Sequence, residues 1–315
     1  MSAFNIDLKN LIIDNESQYY LLLLMIKLFY VLILLQFVQL SAQGTINKTC
    51  ENSADPSKTI VAGGSVAEII YFLNLDGYLV AADVTSTYPK QVTELPSIGY
   101  VRNLSVEGLL SMNPSLVIGE DDMGPPNVLS QLEIVNVDVR IIPEERTIGG
   151  ILDKIDCVAR VLGEKGFAKR QINKKLKSQI SSLSKFKKIN SNSGKKGMLI
   201  LSMRGTSPVV AGAETSGDGF IALTGIENIY NSFDGWKPVT IESIIQQNPD
   251  YIFIPQRDVH QNSDVVSLKK NILLQKTSAI KNDNIITDDA MAMLGFSPRT
   301  ILSALNAAKK ISDQK

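Results

Sequence analysis

"LSVEGLLSMNPSLVIG", Leu104 to Gly119, has an echo further along the chain in "VTIESIIQQNPDYIFI", Val239 to Ile254. Each stretch offers a hydroxyl residue that can cap a helix, Ser105 in the first and Thr240 in the second. Each carries a glutamate in the first helical turn, Glu107 and Glu242, where negative charge suits the helix dipole. Each then stops at Asn-Pro, because the residue before proline disfavours helix. A short apolar run follows and reads as a buried strand. One helix-to-strand unit used twice implies a chain with two comparable α/β halves. The glutamates carry two readings: simple helix-dipole partners, or a pair of like-charged studs for a partner with two basic sockets.

Outward from the first unit, strands and helices alternate. "TIVAGG" (Thr59–Gly64) reads as a strand ending in glycines, and "SVAEIIYFLNL" (Ser65–Leu75) as a helix with Ser65 as cap and Glu68 completing a capping box. "YLVAAD", "SLVIG" and "VRIIP" are further strands, with "NVLSQLEIVN" as the helix before the last. This alternation implies parallel packing. From Thr147 to about Lys188 the pattern is helical, with Ile151, Ile155, Val158 and Leu162 on one face and Gly163 and Gly166 dividing it. Its lysine-rich second part reads as a solvated helix face. The alternation restarts at "GMLILS", continues through "DGFIALTG" and the echo unit, and closes with the helix "SPRTILSALNAAKKI". The expected organisation is 1–43 upstream extension plus leader, 44–57 linker, 58–164 N-terminal α/β lobe, 165–188 connecting helix and 195–315 C-terminal α/β lobe.

Before the first lobe, "MIKLFYVLILLQFVQLSAQ" from Met25 has a charged start, an apolar run and a small-residue exit. That is the pattern of a secretory signal peptide cut near Ala42 to Gly44, with Met25 as the start. The competing reading is a membrane anchor, since about 20 apolar residues can span a bilayer. Cys50 follows the exit, but "NKTC" lacks the small apolar residues usual before a lipidated cysteine. An exported chain can pair Cys50 with Cys157; alternatively Cys157 packs as a small apolar side chain.

Charge is balanced, with 32 basic and 32 acidic residues, which argues against a nucleic-acid binder. His260 is the single histidine, so a zinc site built from several histidines is excluded. "VAGGSVAEII" lacks the Gly-Lys-Ser/Thr ending of a phosphate loop. No G-x-S-x-G nucleophile elbow occurs. Enzyme readings therefore find no motif to rest on, and none is expected. "GEDDMG" (Glu120 to Asp122) reads as a solvated acid cluster or a hard-cation site.

The stretches "AGGSVAEIIYFL", "DVTSTYP", "LPSIGYVRNLSVEGLLSMNPSLVIG", "SPVVAGAETSGDGFIALTG", "GWKPVTIESIIQQNPDYIFI" and "MLGFSPRT" occur in this order. As a set they resemble the hemin-binding (HmuT-type) group of substrate-binding proteins of ABC importers, a superfamily that also carries vitamin B12 and ferric siderophores. The resemblance implies two Rossmann-like lobes with parallel sheets, joined by a long interlobe helix of the helical-backbone type. It implies haem b (hemin) as the transported ligand, a periplasmic or membrane-anchored monomer, an ABC permease dimer as partner and an outer-membrane haem receptor upstream. It places the haem-iron ligand at Tyr88, and permease docking at Glu107 and Glu242. Tyr100 is expected to stack on the porphyrin, and Arg102 to meet a propionate or the tyrosinate. Some relatives place a histidine after the first strand of the second lobe; "SMRGTSP" has none, leaving Met203 as a thioether ligand or Arg204 as a propionate partner. His260 reads as a surface residue.

Overall fold

The structure is a computed structural model, and it describes residues 25–27, 50–204, 207–256 and 269–314. Most of the expected leader and linker, and His260, lie outside the described residues. The residues described from Cys50 onward belong to one compact unit, which contains both sheets. No described helix is long and apolar enough to cross a membrane.

The first sheet comes from β1 (Thr59–Ala62), β2 (Leu79–Ala82), β3 (Leu116–Gly119) and β4 (Asp138–Ile141). Between them run α1 (Gly64–Phe72), α2 (Val106–Leu110) and α3 (Pro126–Ile134). The strands lie in the order β2-β1-β3-β4 and all pair in parallel. β1 and β3 are buried along their whole length, as expected of continuous apolar strands covered on both faces. The chain leaves β1 towards β2 and returns across the sheet for β3. The topological switch point is thus at the carboxyl ends of β1 and β3, where open α/β sheets bind ligands.

Ser65 does not cap α1. The cap is Gly63 at φ 131°, with no side-chain bond. The next residue, Gly64, packs so tightly that a Cβ would sit 2.6 Å from the Thr85 carbonyl oxygen. The amides of this turn are instead satisfied from the loop after β2: Gly63 donates to Asp83 Oδ1 at 2.8 Å and Gly64 to Thr85 Oγ1 at 3.2 Å.

Three helices come next in the chain: α4 (Ile148–Val161), α5 (Phe167–Lys175) and α6 (Lys177–Ser191). Gly163 and Gly166 break the first pair, both at positive φ. The single connecting helix expected over 165–188 is two helices, because Leu176, at φ −120°, leaves helical geometry between them. Cys157 on α4 is bonded to Cys50, with the Cα atoms 4.8 Å apart. It is still buried, at 1 % exposure, so the bond and the apolar packing coexist.

The second sheet contains β5 (Lys196–Arg204), β6 (Ser207–Ala211), β7 (Glu227–Asn228), β8 (Trp236–Pro238), β9 (Tyr251–Gln256) and β10 (Ile285–Asp289). Its helices are α7 (Ser216–Thr224), α8 (Ile241–Gln247), α9 (Ser278–Lys281), α10 (Ala290–Leu294) and α11 (Pro298–Asp313). The order is β10-β9-β5-β6-β8, with β7 also on β5. β5, β7, β9 and β10 pair in parallel, whereas β6 is antiparallel to both β5 and β8. "SMRGTSP" was expected as a loop after the first strand. Its residues Ser202 to Arg204 instead continue β5 and its Ser207 and Pro208 begin the antiparallel β6, with Met203 opposite Pro208.

One apolar core runs through both sheets and the connecting helices, taking in Val61, Ile70, Ile155, Leu183, Phe253 and Ile301. A second core, with Met198, Ile200, Ile252 and Ile254, fills the other face of the second sheet. Leu199 and Phe253 point to the first core and their strand neighbours to the second, the period-two alternation of a strand.

Candidate functional site

Asp83 closes β2 and is buried at 3 % exposure. Its carboxylate accepts from Gly63 N (2.8 Å), Thr85 N (2.9 Å), Thr85 Oγ1 (2.7 Å) and Ser86 Oγ (2.8 Å). Four bonds to one buried carboxylate pin the loop against the β1–α1 turn, since a buried charge must be satisfied. The polar residues of "DVTSTYP" thus serve to present Tyr88, which is 48 % exposed.

The Arg299 guanidinium lies over the Tyr88 ring, its Cζ 3.9 Å from the centroid. Arg299 comes from the first turn of α11. It also bonds the Glu68 carboxylate on α1 and Asp289 Oδ1 at 2.9 Å. Ser297 Oγ donates to the other Glu68 oxygen at 2.5 Å. Burial pushes the Glu68 carboxyl above its ordinary value, and the Arg299 and Ser297 bonds pull it back only in part. The capping-box role expected for Glu68 is therefore replaced by a polar bridge between α1 and the segment leading into α11.

A pocket of about 510 Å³ opens beside this bridge, within the usual range for small-molecule sites. Its apolar wall is Tyr71, Phe72, Leu176 and Leu302, with Tyr88 on one side and Lys175 and Arg299 as its cations. Lys175, expected on a solvated face, folds inward: its Nζ donates to the Phe72 carbonyl at 2.6 Å and lies 4.8 Å from the Phe72 ring centroid. Burial and the neighbouring Lys174 lower its pKa. A second hollow of about 540 Å³ lies along the outer edge of β4. Its buried Arg140 is already held by Asp138 at 2.6 Å.

The other expected site residues are spread more widely. Tyr100 is exposed, on a segment tied to the Tyr88 loop by Val84 N to Gly99 O at 2.9 Å. Arg102 puts both Nε (3.0 Å) and Nη2 (2.9 Å) on Asp122 Oδ2. Neither Tyr100 nor Arg102 lines the 510 Å³ pocket. Met203 is half-buried and packs against the second core. Arg204 ends β5, and its side chain lies outside the description. Glu107 and Glu242 are both exposed, each the second residue of its helix, α2 and α8.

The acid cluster dissolves into ion pairs. Asp122 holds Arg102, and Glu120 pairs with the buried Lys154, which also bonds Glu144 at 2.7 Å and the Gly295 carbonyl at 3.2 Å. Burial works against the Lys154 charge, yet the two carboxylates more than offset it and its pKa is raised. Among the described residues no cluster of three or more His, Cys, Asp or Glu could hold a metal ion.

Sequence reasoning missed Arg299, Glu68 and Lys175 as parts of this site. "MLGFSPRT" was legible as a characteristic stretch, but nothing local to it points at Tyr88.

The periplasmic binding protein family profile matches residues 60–292. Among solved structures, the chain is similar to the periplasmic heme binding protein HutB of Vibrio cholerae. The two are 32% identical, with a TM-score of 0.70, over 82% of this chain and 98% of that one. It is similar to the uncharacterized ABC transporter substrate-binding lipoprotein YvrC of Bacillus subtilis, 25% identical over 82% of this chain and 80% of YvrC. It is also similar to a vitamin B12-binding protein of Vibrio cholerae, 27% identical over 33% of this chain and 38% of that protein. With the match running from the first strand into α10, across both sheets and the helices between them, the chain belongs to the periplasmic binding protein family.

Proposed function

We propose that this is an extracytoplasmic haem-binding protein that delivers haem to the permease dimer of an ABC importer. The observation that carries the reading is Tyr88, an exposed phenol on a pinned loop beside a pocket with aromatic and aliphatic walls, lined also by Lys175 and Arg299 and by Glu68 and Asp76. A tyrosinate is a hard anionic donor suited to ferric iron, and tyrosine is a known haem ligand. The apolar wall suits a porphyrin face, and Lys175 stands where a carboxylate of such a ligand can be met. Similarity to HutB, named as a heme binding protein, supports the same cargo. Iron is five-coordinate in this reading, with Tyr88 as its protein ligand. Glu107 and Glu242 are the two docking points for basic sockets on the permease, supported by their matched exposed positions.

Hemin titrated into the chain from Gly44 onward, beside Tyr88→Phe, tests the reading by visible absorbance. A saturable tyrosinate-type ferric spectrum in the parent, lost in Tyr88→Phe, is the expected result. Saturable binding that survives the substitution keeps the cargo and moves the ligand. No saturable binding drops haem in favour of a corrinoid or ferric siderophore.

A further inference from the structure

We propose that Arg299 is the positioning residue for Tyr88, fixing the orientation of the phenol ring that would ligate iron; this rests on the proposed haem function. The guanidinium carbon lies 3.9 Å from the ring centroid, which is stacking contact. Arg299 is itself fixed by Glu68 and by Asp289 at 2.9 Å. Glu68 is fixed in turn by Ser297 at 2.5 Å. The support under the ring is thus a chain of short bonds to buried or half-buried groups. Among the described residues none hydrogen-bonds the Tyr88 hydroxyl. The ring is held by its face and its oxygen is left open, which is the arrangement a metal ligand needs.

Arg102 was expected to meet a propionate or the tyrosinate, but it spends two nitrogens on Asp122. Arg299 also meets two carboxylates, so most of its charge is matched locally. Its effect on Tyr88 is therefore orientation first and electrostatics second. Arg299 and Glu68 lie 231 residues apart in the chain. Tyr88 belongs to the segment after β2, and its support belongs to the segment after β10. The geometry of the iron ligand thus depends on both halves of the molecule.

The test is a double-substitution cycle on haem dissociation, read by transfer of hemin to excess apomyoglobin. Arg299→Lys keeps a cation for Glu68 and Asp289 but removes the flat stack. A thermal melt of each variant checks that it is folded. In the Tyr88 background, Arg299→Lys is expected to speed dissociation about tenfold and to broaden the tyrosinate-to-iron band. In the Tyr88→Phe background it is expected to change nothing further, the coupling that marks action through Tyr88. Equal effects in both backgrounds, or none in either, overturn the inference while leaving Tyr88 as ligand. A parent spectrum and dissociation rate that Tyr88→Phe does not alter overturn the ligand reading itself, and the inference with it.

Discussion

Ser105 and Thr240 each accept a hydrogen bond from the amide three residues on, at 3.0 and 3.2 Å. Each is followed by an exposed glutamate at the second helical position, and each unit turns at an asparagine in the left-handed region, Asn113 at φ 49° and Asn248 at φ 44°. Asparagine tolerates that region better than most residues, and the proline behind it keeps the helix from resuming. Both units then enter an interior strand, β3 and β9. Their surroundings differ. The first sheet is wholly parallel, and the residue after β3, Glu120, is drawn into the Lys154 cluster. The second sheet carries an antiparallel hairpin beside β5. The first half presents Tyr88, and the second sends Arg299 back to support it. Similar local sequence therefore produces similar caps and exposed charges, while the contacts around Tyr88 draw differently on the two halves.

Reversing both charges, Glu107→Arg with Glu242→Arg, is the strongest way to test that similarity. Uptake in a reconstituted importer is expected to fall more than tenfold with hemin affinity unchanged, and each single reversal is expected to give a comparable partial loss. Normal uptake by the double variant would reduce the glutamates to helix-dipole partners.

The disulfide sharpens the difference, because Cys50–Cys157 closes 107 residues around the first sheet only. Loop-closure entropy for about 100 residues is worth about 4.7 kcal/mol. Cys157→Ser is expected to lower unfolding stability by about 4 kcal/mol in denaturant titration. Hydrogen exchange is expected to rise in β1 to β4 more than in β9 and β10.

The smallest effects come from the caps. Ser105→Ala and Thr240→Ala are each expected to cost about 1 kcal/mol, measured by the same titration. Asn248→Ala is expected to cost more than Asn113→Ala, because Asn248 also bonds Ser278 through both its amide nitrogen (3.0 Å) and its oxygen (2.8 Å). Equal costs would mean that those two bonds add nothing beyond the left-handed turn.

The α/β class, the repeated unit and the exposed glutamates were legible because their causes lie within a few residues. A cap looks three residues ahead, and a buried strand declares itself by its apolar run. Ser65 shows where such local reading fails. It has the right type and spacing for a cap, yet Asp83 and Thr85 from the next loop had already satisfied the turn. Lys175 fails in the same way. It sits among lysines that face water, and only the approach of Phe72 turns it inward.

The chain's own pattern of caps, Asn-Pro stops and apolar runs was enough to establish two α/β halves with an exposed glutamate on each, since those features depend on short-range sterics and hydrogen bonds. Which cysteine sulfur meets which, which arginine reaches Tyr88 and whether Met203 faces a ligand or a core are matters of distance between residues far apart in sequence. Packing the two sheets and their connecting helices around one core sets those distances. That is why Arg299, 231 residues from its partner Glu68, became visible only in three dimensions.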